Sequence, residues 1–558
     1  TANVTEAVVR PVLVVPQEHT PVRSAADHLV IPSGELDRIL RRGERRLDKR
    51  GARTLAEHLE NKNTDYVPLT LNAQPAETDA SEELFGVDEI RQDRLERALQ
   101  GSFESWLTFL DDSQFAMVRR HYTGPARISG PAGTGKTVVV RHRLVHLAKR
   151  TTGPLLFTTY ARNLPPIEKR RFEQLAPELS HRVEFRTLHS WALSLLHERG
   201  HHFEVNHKSA QTCFFRAWSH VGKGSKLDDL NPDANYWWDE VDRVIKGRGL
   251  RELSEYQGVR RTGRGIRLER GADRELMWRL YQEYERLRTE RDQHDFNDLL
   301  RAAEQEIRET PLDPPYAAVV VDEVQDITLI GLRLLHVIAG DGPNALLLAG
   351  DGQQQIYPGG WRLSDAGIPI RGRGEVLRVN YRNGSDILEF GRRFDATNDV
   401  DDLDGGVGVS AREADATLRG GQVVRWRGPR AEHEAALISA VRDWADVLPD
   451  DIALLTFNKP EAQRWRGLLN SAGLPAADLE HFEGERDGRI KVGTVFRAKG
   501  QEFQAVILPE LLPPDLRDRE WQQRRERLEL VRTLRARDHL WVGFPNDEQA
   551  DASRRNVT

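Results

Sequence analysis

Gly130-Pro131-Ala132-Gly133-Thr134-Gly135-Lys136-Thr137 is the stretch that decides the fold of this chain. It follows a short run, Ala126–Ser129, that reads as a strand, and precedes residues 138–149, whose periodicity predicts a helix. The pattern G-x-x-x-x-G-K-[ST] between a strand and a helix makes a phosphate cradle. Gly130, Gly133 and Gly135 let backbone N–H groups around Thr134 turn inward, Lys136 brings a point charge to the outer phosphate oxygens, and the Thr137 hydroxyl can ligate Mg²⁺.

Such a cradle needs an acid at the end of another buried strand. Residues 317–321 (Ala-Ala-Val-Val-Val) supply the strand, and Asp322-Glu323-Val324-Gln325-Asp326 follows at once. Asp322 is placed to hold Mg²⁺, and Glu323 to take a proton from an attacking water. Further apolar runs at 155–158, 183–185, 345–348, 451–456, 490–493, 505–508 and 540–543 alternate with helical patterns. That alternation predicts an α/β protein with parallel sheets covered on both faces.

With 558 residues, the chain exceeds one hydrophobic core. We divide it into an N-terminal region (1–69), a linker (70–86), a first α/β domain in two parts (87–195 and 291–375), a helical insertion (196–290), a second α/β domain (376–550) and a tail (551–558). Within 33–60, Leu36, Ile39, Leu40, Leu47 and Leu55 predict one helix face, with a solvated charge run opposite. Trp237 and Trp238 are assigned to the insertion's own core. The basic stretch 260–267 reads equally as a phosphate grip or a solvated loop. Cys213 is the only cysteine, which excludes an internal disulfide framework and a cysteine-rich zinc site, and fits a reducing cytoplasm. No run of transmembrane length and no secretory pattern stands out, so no membrane role is expected. The net charge of -6 means that any nucleic-acid contact is a local groove rather than a global field.

The Asp-Glu-x-Gln-Asp form together with the phosphate loop resembles the UvrD/Rep class of superfamily-one helicases, and the likeness runs from about residue 110 to 542. It implies two RecA-like P-loop motor domains in tandem, a helical 1B-type insertion in the first, and use of ATP with Mg²⁺. By that resemblance Gln114 reads adenine, Gln354 senses the γ-phosphate and water, Tyr381 stacks near the base, and Arg382 reaches the γ-phosphate. Glu502 contacts the ribose, and Arg535 is the last arginine finger. A loose, negatively charged transition state needs cations from both sides, and Lys136 on one domain with Arg382 and Arg535 on the other would meet that need.

A translocase also needs sequence-tolerant contacts to a single strand. Thr159, Tyr160, Thr187, His189, Tyr357, Trp361 and Thr494 stand in positions that resemble the family's strand contacts. The segment Asp295-Phe296-Asn297-Asp298 reads as structural. Three departures stand out: Phe496 replaces the usual His, Leu534 the usual Thr, and only 459–489 separates two strands where related helicases carry a 2B subdomain. The expectation is therefore a monomeric motor of the bacterial cytoplasm or nucleoid, moving on single-stranded DNA (RNA being the alternative polymer), 3′ to 5′ by resemblance. The competing reading is an ATP-driven remodeller of a protein complex in repair, defence or transcription, with little unwinding. The two arginine fingers and Gln354 argue strongly against a third reading, a simple P-loop kinase or phosphate-binding protein.

Overall fold

The computed structural model describes residues 12–15, 23–25, 28–32, 110–355, 359–394, 410, 413–511 and 519–546. The chain divides into two compact units, Thr1–Leu84 and Phe85–Thr558. In the first, β1 (Val12–Val15) runs parallel to β3 (His28–Pro32), which pairs antiparallel with β2 (Arg23–Ala25). The helix expected over 33–60 and the linker at 70–86 lie outside the described residues.

The second unit holds two six-stranded sheets. The first contains β4 (Ala126–Ser129), β5 (Leu155–Thr159), β6 (Val183–Thr187), β7 (Ala318–Asp322), β8 (Leu346–Gly350) and β9 (Gly374–Val376) in the order β6-β5-β7-β8-β4-β9. Every pairing in it is parallel. Alternation along its strands feeds two separate cores: Leu156, Val319 and Val321 face one, while Leu155, Phe157, Ala318 and Val320 face the other. Apolar residues at consecutive positions are what a sheet buried on both faces requires.

After β10 (Val379–Gly384) and β11 (Asp415–Leu418), which pair with each other, comes the second sheet. It comprises β12 (Gln422–Pro429), β13 (Ile452–Thr456), β14 (Ala476–Asp478), β15 (Ile490–Thr494), β16 (Phe503–Leu508) and β17 (Ala536–Asn546). Their order is β12-β17-β16-β13-β15-β14, again all parallel. Residues 459–489, the short separation noted in the sequence, form the helix Lys459–Ser471, the edge strand β14 and a short 3-10 turn at Leu479–His481. They complete the sheet itself.

The insertion between β6 and β7 has its own core, in which Trp237 is fully buried and Trp238 nearly so. The basic stretch 260–267 takes neither expected role at two of its positions. Arg261 Nε and Nη2 donate to the two carboxylate oxygens of Glu240 at 2.6 and 2.8 Å, and Arg264 Nε lies 2.9 Å from Oε2. Glu240 is fully buried, and the Tyr256 hydroxyl donates to it at 2.7 Å. The arginines turn inward because a buried carboxylate needs compensating charge, which costs less than leaving either sign unpaired. Glu240→Gln strands two cations and is expected to destabilise the insertion by on the order of 3 kcal/mol. A denaturant titration followed by tryptophan fluorescence reads this, and an unchanged midpoint would contradict it.

Candidate nucleotide cleft and nucleic-acid groove

The loop after β4 takes its shape from glycines in conformations other residues avoid. Gly133 and Gly135 have φ of 81° and 82°. A Cβ at Gly133 would stand 2.4 Å from Asn380 Nδ2, and one at Gly135 2.5 Å from Gln114 Nε2. Gln114 lies against the loop, donating through Nε2 to the Thr134 carbonyl at 2.8 Å. Asn380 donates to the Ala132 carbonyl at 3.0 Å, and the Tyr381 amide to the Gly133 carbonyl at 2.9 Å. The motif glycines thus serve backbone geometry and close packing together.

Lys136 begins the helix Lys136–Arg150 and curls back, its Nζ donating to the carbonyls of Gly130 and Pro131 at 2.6 and 2.9 Å. Burial lowers its pKa, while Asp351, 4.0 Å away, and Glu323 oppose that shift. Thr137 Oγ1 donates to Asp322 Oδ2 at 2.7 Å. Burial and the neighbouring Glu323 push Asp322 up to about 7, against the Thr137 hydrogen bond. A buried carboxylate short of positive charge beside a hydroxyl suits a divalent cation, which Thr137 and Asp322 would hold.

Glu323 is left-handed at φ 54°, a strained conformation for a residue with a side chain. Burial alone would raise its pKa, but Lys499, Arg535 and Lys136 outweigh that and hold it below the ordinary carboxylate range. It therefore stands ionised among cations, as a proton acceptor must.

The opposite wall comes from the second sheet's side. Arg535 Nη2 donates to Gln354 Oε1 at 2.9 Å, and Gln354 Nε2 to Asp351 Oδ2 at 2.6 Å. Burial and the charge of Arg382 bring Arg535 down to about 10. Arg382 pairs with Glu502, and its buried Nε has no hydrogen-bond partner among the described residues. A buried, unsatisfied guanidinium N–H in a cleft is a donor in want of an acceptor. Lys136, Thr137, Asp322, Glu323, Gln354, Arg382, Glu502 and Arg535 are thus gathered around one cleft.

Two residues that sequence reading left off its site list complete this wall. Asn380 ties the loop to β10. Lys499 Nζ lies 2.6 Å from Asp326 Oδ2 and donates to the Gln354 carbonyl at 2.8 Å, forming a buried ion pair between the two α/β halves. Asn380 directly precedes Tyr381 and Arg382, and Lys499 stands three residues before Glu502, so position rather than residue type was the available signal.

A groove of about 1110 Å³ crosses both halves. Tyr160, Thr187, His189 and Thr494 line it together, with Phe296, Phe496, Arg186 and Arg497 among the added walls. Phe296 is 40% exposed and meets His189 edge-on, with ring centres 4.9 Å apart. Its neighbours Asp295 and Asp298 do form a helix capping box, so the segment is structural apart from this ring. Burial and Arg243 bring His189 down to about 4, so it is neutral near pH 7.

Two expected strand contacts stand elsewhere. Thr159 is fully buried at the end of β5, in register with Asp322. Trp361 is packed in the first domain's core, donating its ring N–H to the Ile327 carbonyl at 2.6 Å, so its face is not open to a base. Tyr357 lies outside the described residues. Among those residues no helix is long and apolar enough to cross a membrane.

Residues 110–370 match the model of the UvrD/REP helicase N-terminal domain. A Bacillus subtilis (strain 168) protein named "Putative ATP-dependent DNA helicase YjcD" is 23% identical over 245 residues, covering 42% of this chain and 31% of that one. The ATP-dependent DNA helicase PcrA of Staphylococcus epidermidis is 24% identical over 281 residues, 48% of this chain and 37% of its own length. The chain thus aligns with about a third of the length of these relatives. The matched domain, the paired parallel sheets and the cleft between them agree in their support for a UvrD-like helicase, the likeness resting on residues 110–370.

Proposed function

We propose that the chain is an ATPase that moves along single-stranded DNA, 3′ to 5′, with little capacity to split a duplex. The observation that carries this reading is the convergence of Lys136 from one half with Arg382 and Arg535 from the other on a single cleft next to a groove spanning both halves. ATP would bind with its phosphates in the loop, Gln114 at the base and Glu502 at the ribose. Lys136, Arg382 and Arg535 would stabilise charge developing on the γ-phosphoryl group, and Glu323 would accept the proton of the attacking water. Mg²⁺ held by Thr137 and Asp322 would neutralise charge on the phosphate oxygens.

Closing the cleft around ATP and releasing it after hydrolysis would shift Tyr160, Thr187 and His189 on one half relative to Thr494 and Phe496 on the other. A strand held in the groove would then be passed from one half to the other. The relatives' names specify DNA, which supports DNA over RNA as the polymer. The second reading, remodelling of a protein complex by the same motor, is favoured by one observation: 459–489 supply one helix, a short 3-10 turn and an edge strand, with no subdomain of their own.

A single-stranded dT oligonucleotide is expected to raise steady-state ATP turnover at least about tenfold, an RNA of equal length less so. Turnover indifferent to both polymers would refute the strand-tracking reading and favour a protein partner. Glu323→Gln is expected to keep ATP binding, read with a fluorescent nucleotide, while turnover falls at least about a hundredfold. Ordinary turnover in that variant would remove Glu323 from the chemistry.

A further inference from the structure

The insertion touches both the groove and the cleft at one side chain. Arg243 lies in the segment Glu240–Lys246, wound as a π-helix, a form that often marks functional positions. Its guanidinium is nine-tenths buried and forked between two targets. Nη2 donates to the Tyr160 hydroxyl at 2.5 Å, and Nη1 to the Asp326 carbonyl at 3.2 Å. The same group lies 5.0 Å from the Tyr160 ring centre. One target lines the groove, and the other ends the acid-bearing segment.

From Asp326 the contacts continue to the far wall of the cleft. Its carboxylate clamps Lys499, Lys499 also holds the Gln354 carbonyl, and Gln354 accepts from Arg535. Arg243 braces the loop beyond Gln354 too: a Cβ at Gly359, where φ is 95°, would stand 2.7 Å from the Arg243 carbonyl oxygen. Five successive polar contacts therefore join the hydroxyl of Tyr160 to the guanidinium of Arg535, with Arg243 as the member supplied by the insertion.

We propose that Arg243 is a positioning residue that transmits occupancy of the groove to the ATPase centre. The proposal rests on the strand-tracking reading above. A base pressed against Tyr160 displaces its hydroxyl, and the forked guanidinium carries that displacement to the Asp326 backbone, and through Lys499 to Gln354 and Arg535. An arginine suits this place because its rigid planar fork holds two separated acceptors in a fixed geometry, whereas a lysine ammonium is a compact charge on a flexible stem. The insertion becomes part of the motor's timing as well as a wall of the groove.

The test is the ratio of dT-stimulated to unstimulated ATP turnover, measured alongside oligonucleotide affinity, in the full chain and in Arg243→Gln, Arg243→Lys, Tyr160→Phe and the Gln/Phe double variant. Tyr160→Phe removes one oxygen and keeps the ring, so it decides the matter even if Arg243→Gln does not fold. Arg243→Gln and Tyr160→Phe are each expected to lower the ratio about tenfold, within the usual range of coupling between sites. Affinity is expected to stay within about threefold, and Arg243→Lys to restore only part of the ratio. The double variant should be no worse than the more affected single one, since both cut one link. Stimulation in the parent that Tyr160→Phe retains in full, or equal losses of affinity and ratio, would overturn this inference alone. A parent that no polymer stimulates would overturn the strand-tracking reading and this inference with it.

Discussion

The second unit is organised around the problem of holding several cations together out of water. Lys136, Arg382, Lys499 and Arg535 converge on one cleft, and each would repel the others in a medium of low dielectric. They are held by Asp326, Asp351, Glu323 and Glu502, contributed by both halves. Lys136 and Arg382 find acids in their own halves, but Lys499 and Arg535 find Asp326 and Glu323 across the cleft, so the second half is not electrostatically complete alone. A ligand carrying several negative charges would relieve the same repulsion, which is the physical link between closure and phosphate binding.

The architecture serves that arrangement. Parallel strands place their C-terminal ends on one side, so the loops after β4, β7 and β8 deliver Lys136, Glu323 and Gln354 to a common point. Strands buried on both faces fix those ends rigidly, which suits groups that must meet a reacting atom within a fraction of an ångström. The groove borrows the same ends: Tyr160 follows β5, Thr187 ends β6 and Thr494 ends β15. Any movement of one half on the other therefore acts on both sites.

Much of this was legible in the sequence. Central strands announced themselves as short apolar runs, and the cradle through glycines whose spacing serves backbone geometry. β9, β12 and β14 are sheet edges, half-exposed in places and lacking continuous apolar runs, so pattern alone did not reveal them; β11 is only four residues, Asp-Ala-Thr-Leu, with no apolar run. Trp361 shows the limit of motif position: its ring went to the core because the apolar payload outweighed any surface role. Arg261 and Arg264 read equally as a phosphate grip or a solvated loop, whereas their partner is Glu240, more than twenty residues earlier. Partners that distant in sequence leave no local signal. The same holds for Arg243, whose two acceptors come from separate strand ends.

The central claim is that one phosphate group is served by cations from both halves. Single-turnover hydrolysis by Arg535→Ala, set beside its affinity for a non-hydrolysable ATP analogue, tests it most directly. The account predicts affinity within several-fold of the parent and hydrolysis slowed by about a thousandfold or more. Hydrolysis at the parent rate would place the chemistry within the first half alone and contradict a shared cleft.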